Sequence, residues 1–93
     1  MFMLTLHFMQ PLSKGPLGPE LIGSMITDCA VPEDRVEHAY VQADHSGQVD
    51  VVVFIAATDL APALVNAAAL TSRLLRESFS GWLLLKACVE NAV

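Results

Sequence analysis

Positive charge is scarce in this sequence. Five lysines and arginines stand against ten aspartates and glutamates in 93 residues, so the formal net charge is −5. Proteins that bind nucleic acid present a basic stripe to the phosphate backbone, and anionic lipid surfaces attract clusters of basic residues. The sequence therefore predicts a protein that binds neither nucleic acid nor membranes.

Long apolar runs and cysteine motifs are missing as well. The longest apolar runs, such as residues 51–57, fall far short of the roughly 20 residues that span a bilayer. No basic segment precedes the apolar residues 1–9, so we expect no signal peptide. Cys29 and Cys88 form no CxxC motif and no zinc-binding spacing. We therefore expect two reduced, buried thiols, no metal and no cofactor in a cytoplasmic protein.

Apolar residues are in excess. They make up 54% of the chain and charged residues only 16%, whereas average soluble proteins have about 45–50% and about 25%. A chain of this length has a large surface for its volume, so the additional apolar side chains need cover. This composition predicts a homo-oligomer, most simply a dimer, with a bound apolar ligand as the alternative.

Residue periodicity predicts six secondary-structure elements. Alternation typical of strands covers residues 2–10 and 35–43, a continuous β-branched apolar run covers residues 49–57, and a final apolar strand, residues 82–89, follows the stop at residues 80–81. Helical spacing follows Pro19 and ends before Pro32, and it returns from Leu60 to about Phe79. The turn residues 44–47 make the second and third strands a hairpin.

The order βαββαβ predicts a ferredoxin-like α+β fold in a single domain, residues 1–93. Two right-handed β-α-β units that share one sheet give four antiparallel strands in the order 4-1-3-2, with both helices on one face. The third strand has no polar residue after Asp50, so we expect it to be covered on both faces.

The sheet face away from the helices is the main candidate surface for function. Alternation assigns to it a largely uncharged set, Thr5, His7, Met9, His38, Tyr40, Val52, Phe54, Trp82, Lys86 and Cys88. The ligand or interface candidates among them are His7, His38, Tyr40, Phe54 and Trp82. A two-fold dimer with stacked sheets would hide such a face. Alternatively, the two histidines and Tyr40 would anchor a ligand in a pocket that a second subunit closes.

The second helix offers another candidate interface. Leu64, Val65, Ala68, Leu74 and Leu75 are expected on one side, and further alanines widen the apolar band. The alternative is that this helix is packed deeply between the sheet and the first helix.

Catalytic motifs are not recognisable, so we expect no catalytic residues. The serines lack a GxSxG motif. His7 and His38 should be separated by the third strand, roughly 10 Å apart and too distant to share one metal. Asp34 is expected in a turn, and Arg73 on the solvated edge of the second helix.

The loop before the first helix resembles an anion-binding cradle in outline. Lys14, Gly15 and Gly18 stand just before a helix N-terminus, which favours negative charge. The neighbouring prolines remove backbone donors, and the spacings of phosphate-binding and dinucleotide-binding loops are missing. An ordinary connecting loop is therefore favoured.

These observations favour a non-enzymatic, homo-oligomeric module that binds a protein partner or a small ligand through its apolar sheet face. The alternative is a small dimeric α+β barrel enzyme, similar to monooxygenases or isomerases, with an apolar pocket between two sheets. A solvent-shielded cavity between the sheet and its partner would favour the enzyme over the non-enzymatic module.

Overall fold

The computed structural model of the protein describes residues 1–11 and 15–92. Within these ranges, four strands and two helices follow the predicted order βαββαβ. They are β1 (Phe2–Met9), α1 (Pro19–Cys29), β2 (Val36–Ala43), β3 (Gln48–Ile55), α2 (Leu60–Arg76) and β4 (Leu83–Ala92). A short 3-10 turn, Pro32–Asp34, precedes β2. The helix α2 ends earlier than predicted, because the chain after Arg76 turns so that Phe79 enters the core.

The strands form one antiparallel sheet in the order β2-β3-β1-β4. Read from the β4 edge, the same order is 4-1-3-2. The helix α1 connects β1 to β2, and β3 lies between these two strands. The helix α2 connects β3 to β4, and β1 lies between them. An α+β architecture with a four-stranded antiparallel sheet and two helices is confirmed.

The core lies between one sheet face and both helices. The sheet contributes alternate residues of its two central strands, Leu4, Leu6, Phe8, Val49, Val51, Val53 and Ile55. The helices contribute Ile22, Ile26, Ala63, Ala67, Leu70 and Leu74. Because α1 and α2 bury their side chains in this one cluster, they cover the same face. The opposite face of β3 is only half-buried, which corrects the expectation that both faces are covered.

The predicted place of Trp82 on the open face is wrong. Its indole ring stacks on Phe79, with ring centroids 3.9 Å apart, and meets Phe8 edge-on at 6.1 Å. The side chain is 8% exposed and belongs to the core. The β1–β4 register shifts between His7 and Phe8, so Leu84 pairs with the core residue Phe8, and alternation counted from Lys86 does not carry over to Trp82. The turn at Gly81, whose φ is +85°, directs the chain so that Phe79 and Trp82 both contact the core.

The buried stripe of α2 also differs from the predicted one. Ala63, Ala67 and Leu70 contact the core together with Leu74, whereas Val65 is 66% exposed. Residues follow one another at about 100° around a helix, so Val65 and Leu74 stand on opposite sides. The expectation that Leu64 and Val65 share a face with Leu74 is therefore wrong, and the two lie on the outer surface.

An ion pair connects α2 to the segment between α1 and β2. The buried Asp34 carboxylate accepts hydrogen bonds from the Val31 N–H at 2.9 Å and from Arg73 Nη1 at 2.8 Å. The same guanidinium donates to the Cys29 carbonyl at 3.3 Å. Hydrogen bonding to Asp34 raises the pKa of Arg73, although partial desolvation opposes this. The sequence predicts Asp34 in a turn, where it lies, but does not indicate its burial, and the partly buried Arg73 is not on a fully solvated edge as expected.

The β2–β3 hairpin turns around the side chain of Asp44. Its Oδ1 accepts hydrogen bonds from the Ser46 hydroxyl at 2.6 Å, the Ser46 N–H at 2.9 Å and the Gln48 N–H at 3.1 Å. The Ser46 hydroxyl is the main cause that lowers the pKa of Asp44 below its ordinary value of 3.8. A lowered folded pKa means that the stabilisation is present above the ordinary value and is lost as the pH falls through the folded value.

We expect Asp44→Asn to reduce the acid dependence of stability. The wild type should lose free energy of unfolding below about pH 4 more steeply than the variant, because only the wild type carries the titrating turn carboxylate. Urea unfolding at a series of pH values measures this difference. Asp28→Asn, an exposed change in α1, is the control. A difference between wild type and Asp44→Asn that stays constant with pH would contradict the expectation.

Candidate functional site

The sheet face opposite the helices carries most of the predicted site residues. The pairing places Tyr40 opposite Val52 and His38 opposite Phe54, and on the same face it places His7 between Asp50 and Lys86. His7, His38, Tyr40 and Phe54 therefore lie on the face to which the alternation assigned them, whereas Trp82 does not.

Three rings form an aromatic cluster, His38, Tyr40 and Phe54, at the β2 side of this face. His38 and Tyr40 meet edge-on, with ring centroids 4.7 Å apart. Phe54 lies 6.0 Å from Tyr40 and 6.3 Å from His38. Alternate β2 residues bring the first two rings to one face, and cross-strand pairing with β3 adds the third. Tyr40 is 54% exposed, so the cluster presents apolar ring surface to its surroundings.

The other half of the face is polar. His7 Nδ1 and Asp50 Oδ1 are 2.7 Å apart in a hydrogen bond between β1 and β3. The Gln48 amide also approaches Asp50 Oδ1, at 3.4 Å. Towards β4, ligand atoms of His7, Cys88 and Glu90 all lie within 4.8 Å of one another. This half therefore combines an imidazole with a thiol and two carboxylates.

Sequence reasoning placed His7 and Cys88 on one face but did not unite them. The order 4-1-3-2 could have indicated that the two are close, because it makes β4 the neighbour of β1. In the structure, Cys88 pairs with Thr5, two residues before His7. Glu90 was missed for a different reason. The predicted fourth strand ended at residue 89, whereas β4 continues to Ala92, and alternation from Cys88 places Glu90 on the same face.

The two histidines occupy separate surroundings. His7 lies on β1 beside Asp50, and His38 lies on β2 in the aromatic cluster, with β3 between the two strands. The two histidines therefore do not form one site. The predicted strand order implied this separation.

The edge strand β4 exposes an unusual apolar run. Leu83, Leu84 and Leu85 are consecutive, and all three are exposed, Leu83 to 63%. The register with β1 shifts between His7 and Phe8, so this part of β4 departs from regular pairing. Edge strands carry unpaired backbone groups that favour association, and apolar side chains strengthen that tendency.

The predicted anion loop is described only in part, since Lys14 lies outside the described residues. Gly18 precedes α1, whose first residue, Pro19, has no backbone N–H to offer an anion. A hollow of about 30 Å³ lies near Gly15 and Gln10. This volume is about that of one water molecule, too small for a phosphate group.

A wide groove of about 950 Å³ runs beside α1 and β2. Its lining contains His38 but no other predicted site residue, and it includes the charged side chains of Glu20, Asp28 and Arg35. The groove and the polar half of the open face are therefore different places on the molecule.

Cys29 and Cys88 are both free and half-buried rather than fully buried. Burial raises the pKa of the Cys29 thiol, and the negative charge of Glu77 raises it further. Cys29 therefore carries little thiolate at neutral pH.

Neither helix of the described residues combines the length and the apolar character needed to cross a membrane. When the chain is compared with known proteins, no family model and no curated protein matches it.

Proposed function

We propose that this chain is a cytoplasmic, non-enzymatic homodimeric module with a ferredoxin-like domain, and that its open sheet face binds the same face of a second copy. The single observation that supports this best is the aromatic cluster, His38, Tyr40 and Phe54, on the open sheet face, where His38 and Tyr40 are exposed.

Apolar contact supplies the driving force in this proposal. Aromatic side chains dominate the energy of interfaces, and each buried ring pair adds about 0.5–1.5 kcal/mol beyond the burial of its area. Sheets that stack face to face lie about 10 Å apart, a spacing that side chains such as Tyr40 and Phe54 fill. Met9 and Val52 on the same face are half-buried and would lose their remaining exposure on stacking.

The area of the face matches that of a small interface. Four strands about 4.8 Å apart, each with eight residues at about 3.3 Å, cover a flat area of roughly 500 Å² per copy. Two copies would bury roughly 1,000 Å², near the lower limit for a specific interface. We therefore expect a dimer of moderate affinity, and the exposed leucines of β4 would enlarge the contact at its rim.

Phe54→Glu tests the proposal. A carboxylate in the centre of the apolar contact would be desolvated without a partner, so we expect the dimer Kd to rise at least about 30-fold. Light scattering over a concentration series measures the mass, and circular dichroism checks the fold. The control is Val65→Glu, which adds the same charge on the exposed side of α2 and should leave the dimer unchanged.

Three results would count against this interface. A wild-type monomer at all concentrations would contradict the proposed dimer, and an unchanged dimer in Phe54→Glu would exclude the sheet face as the contact. Dissociation by Val65→Glu alone would identify α2 as the interface. Native mass spectrometry adds a separate test, because a retained small molecule would favour a ligand pocket between the sheets.

A further inference from the structure

We propose that His7, Cys88 and Glu90 form a binding site for a divalent transition metal, with zinc as the ion that the donor atoms suit best. The site lies on the polar half of the open face, where β1 and β4 pair. It lies on the same face as the aromatic cluster that supports the dimer but shares no residue with that cluster.

The spacing of the donor atoms fits a metal after a small closure. A point equidistant from three atoms 4.8 Å apart is about 2.8 Å from each, against about 2.0–2.3 Å for bonds from zinc to nitrogen, oxygen or sulfur. For a metal in the plane of the three atoms, each donor therefore needs to move inward by about 0.5–0.8 Å. Glu90 is exposed on the edge strand, so its side chain is free to make most of this movement.

Asp50 prepares His7 for this role. Its carboxylate and the ring Nδ1 are 2.7 Å apart, so an Nδ1–H donates to Asp50 and Nε2 keeps its lone pair. A carboxylate that binds one nitrogen of a histidine, while a metal binds the other nitrogen, is a recurring arrangement in metal sites. The carboxylate fixes the tautomer of the histidine and makes it a stronger ligand. Asp50 is thus a positioning residue, not a ligand.

The donor set and its charges select the kind of ion. Nitrogen, sulfur and carboxylate oxygen together suit zinc and chemically similar ions better than magnesium or calcium, which prefer oxygen alone. The carboxylates of Glu90 and Asp50 and a Cys88 thiolate favour a dication. Lys86, which pairs with His7, carries a positive charge that opposes the binding of a cation. Its ammonium group is exposed and is free to turn into solvent. Three protein ligands leave a fourth position open for water or another molecule.

Cobalt(II) is the probe for the test, because its spectrum reports both thiolate ligation and coordination number. We expect the 93-residue protein, stripped by a chelator, to bind Co²⁺ with a sulfur-to-cobalt charge-transfer band and visible bands of a four-coordinate site. Zinc should displace the cobalt and abolish these bands. Cys88→Ser should remove the charge-transfer band, whereas Cys29→Ser, the matched control, should retain it.

Three further variants test the other parts of the site. His7→Gln should weaken cobalt binding at least about 100-fold, and Glu90→Gln should also weaken it. Asp50→Asn should retain the spectrum while lowering affinity about 10–100-fold, and Asp50→Glu should recover part of the loss. Glu90 is exposed, so Glu90→Gln should remain folded even if the His7 change disturbs the sheet. The monomeric Phe54→Glu variant should bind cobalt like the wild type.

Two results would overturn the proposal. The first is a chelator-stripped wild type that gives no charge-transfer band at millimolar cobalt. The second is a charge-transfer band that survives Cys88→Ser, or a cobalt affinity that Glu90→Gln leaves unchanged in folded protein. Either result would leave the dimer proposal intact, since dimerisation is measured separately.

Discussion

Replacing Trp82 by alanine is expected to lower the free energy of unfolding by about 3–5 kcal/mol. The indole ring stacks on Phe79 and meets Phe8 edge-on, so its removal leaves a cavity among the three rings. No new contact on the exposed face of the sheet offsets this loss of packing. Small proteins are stable by only about 5–15 kcal/mol, so this single change would remove a large part of the total.

Urea unfolding followed by far-ultraviolet circular dichroism measures the effect, because the variant lacks the single tryptophan and its fluorescence. Tyr40→Ala is the control. Tyr40 is an aromatic residue on the open face, 54% exposed, and at concentrations where the protein is monomeric its loss should cost about 1 kcal/mol or less.

The two positions of Trp82, on the open face or in the core, predict opposite results. If Trp82 were an interface residue, Trp82→Ala would dissociate the oligomer and barely change the stability of the monomer. A stable, monomeric Trp82→Ala variant would therefore contradict the core position. An unstable variant would agree with it.

The elements of this fold were predictable because each has a strong local pattern. Alternation identifies two strands and an apolar β-branched run a third, and Pro19 and Leu60 begin segments with helical spacing. The strand order followed from two right-handed crossovers in one sheet. Trp82 was assigned to the wrong face because the β1–β4 register shifts between His7 and Phe8, which interrupts the alternation before Lys86, and no local pattern marks that shift.

Within the candidate site, predictability depended on regular pairing. His38, Tyr40 and Phe54 were assigned to one face correctly because alternate strand positions share a face. Glu90 follows Cys88 by two residues and shares its face by the same rule, but it was missed because the predicted fourth strand ended at residue 89, whereas β4 continues to Ala92.

Asp34 shows a second kind of limit. A carboxylate in the segment Pro32–Asp34 has the composition of a solvated turn, and its partner lies 39 residues further along the chain. Burial of the carboxylate results from the way α2 lies across this turn. Only the tertiary arrangement shows that Asp34 has a counterion and a backbone donor.

We expect Asp34→Ala to lower the free energy of unfolding by about 2–4 kcal/mol. The change removes the hydrogen bond to the Val31 N–H, which organises the turn, and it deprives the Arg73 guanidinium of its counterion. Urea unfolding measures the loss. Glu33→Ala is the control, since it removes a carboxylate from the neighbouring, exposed position and should change stability little.

Arg73→Met should also destabilise the protein, for a different physical reason. It leaves the Asp34 carboxylate, 2% exposed, in place without its counterion, and an unpaired buried charge is costly. Arg73 is itself 22% exposed and can reach water when Asp34 is removed. The double variant Asp34→Ala/Arg73→Met should therefore lose clearly less stability than the two single losses combined. Losses that simply add would contradict the coupling, and the tie between α2 and the turn before β2 would then have to depend on packing alone.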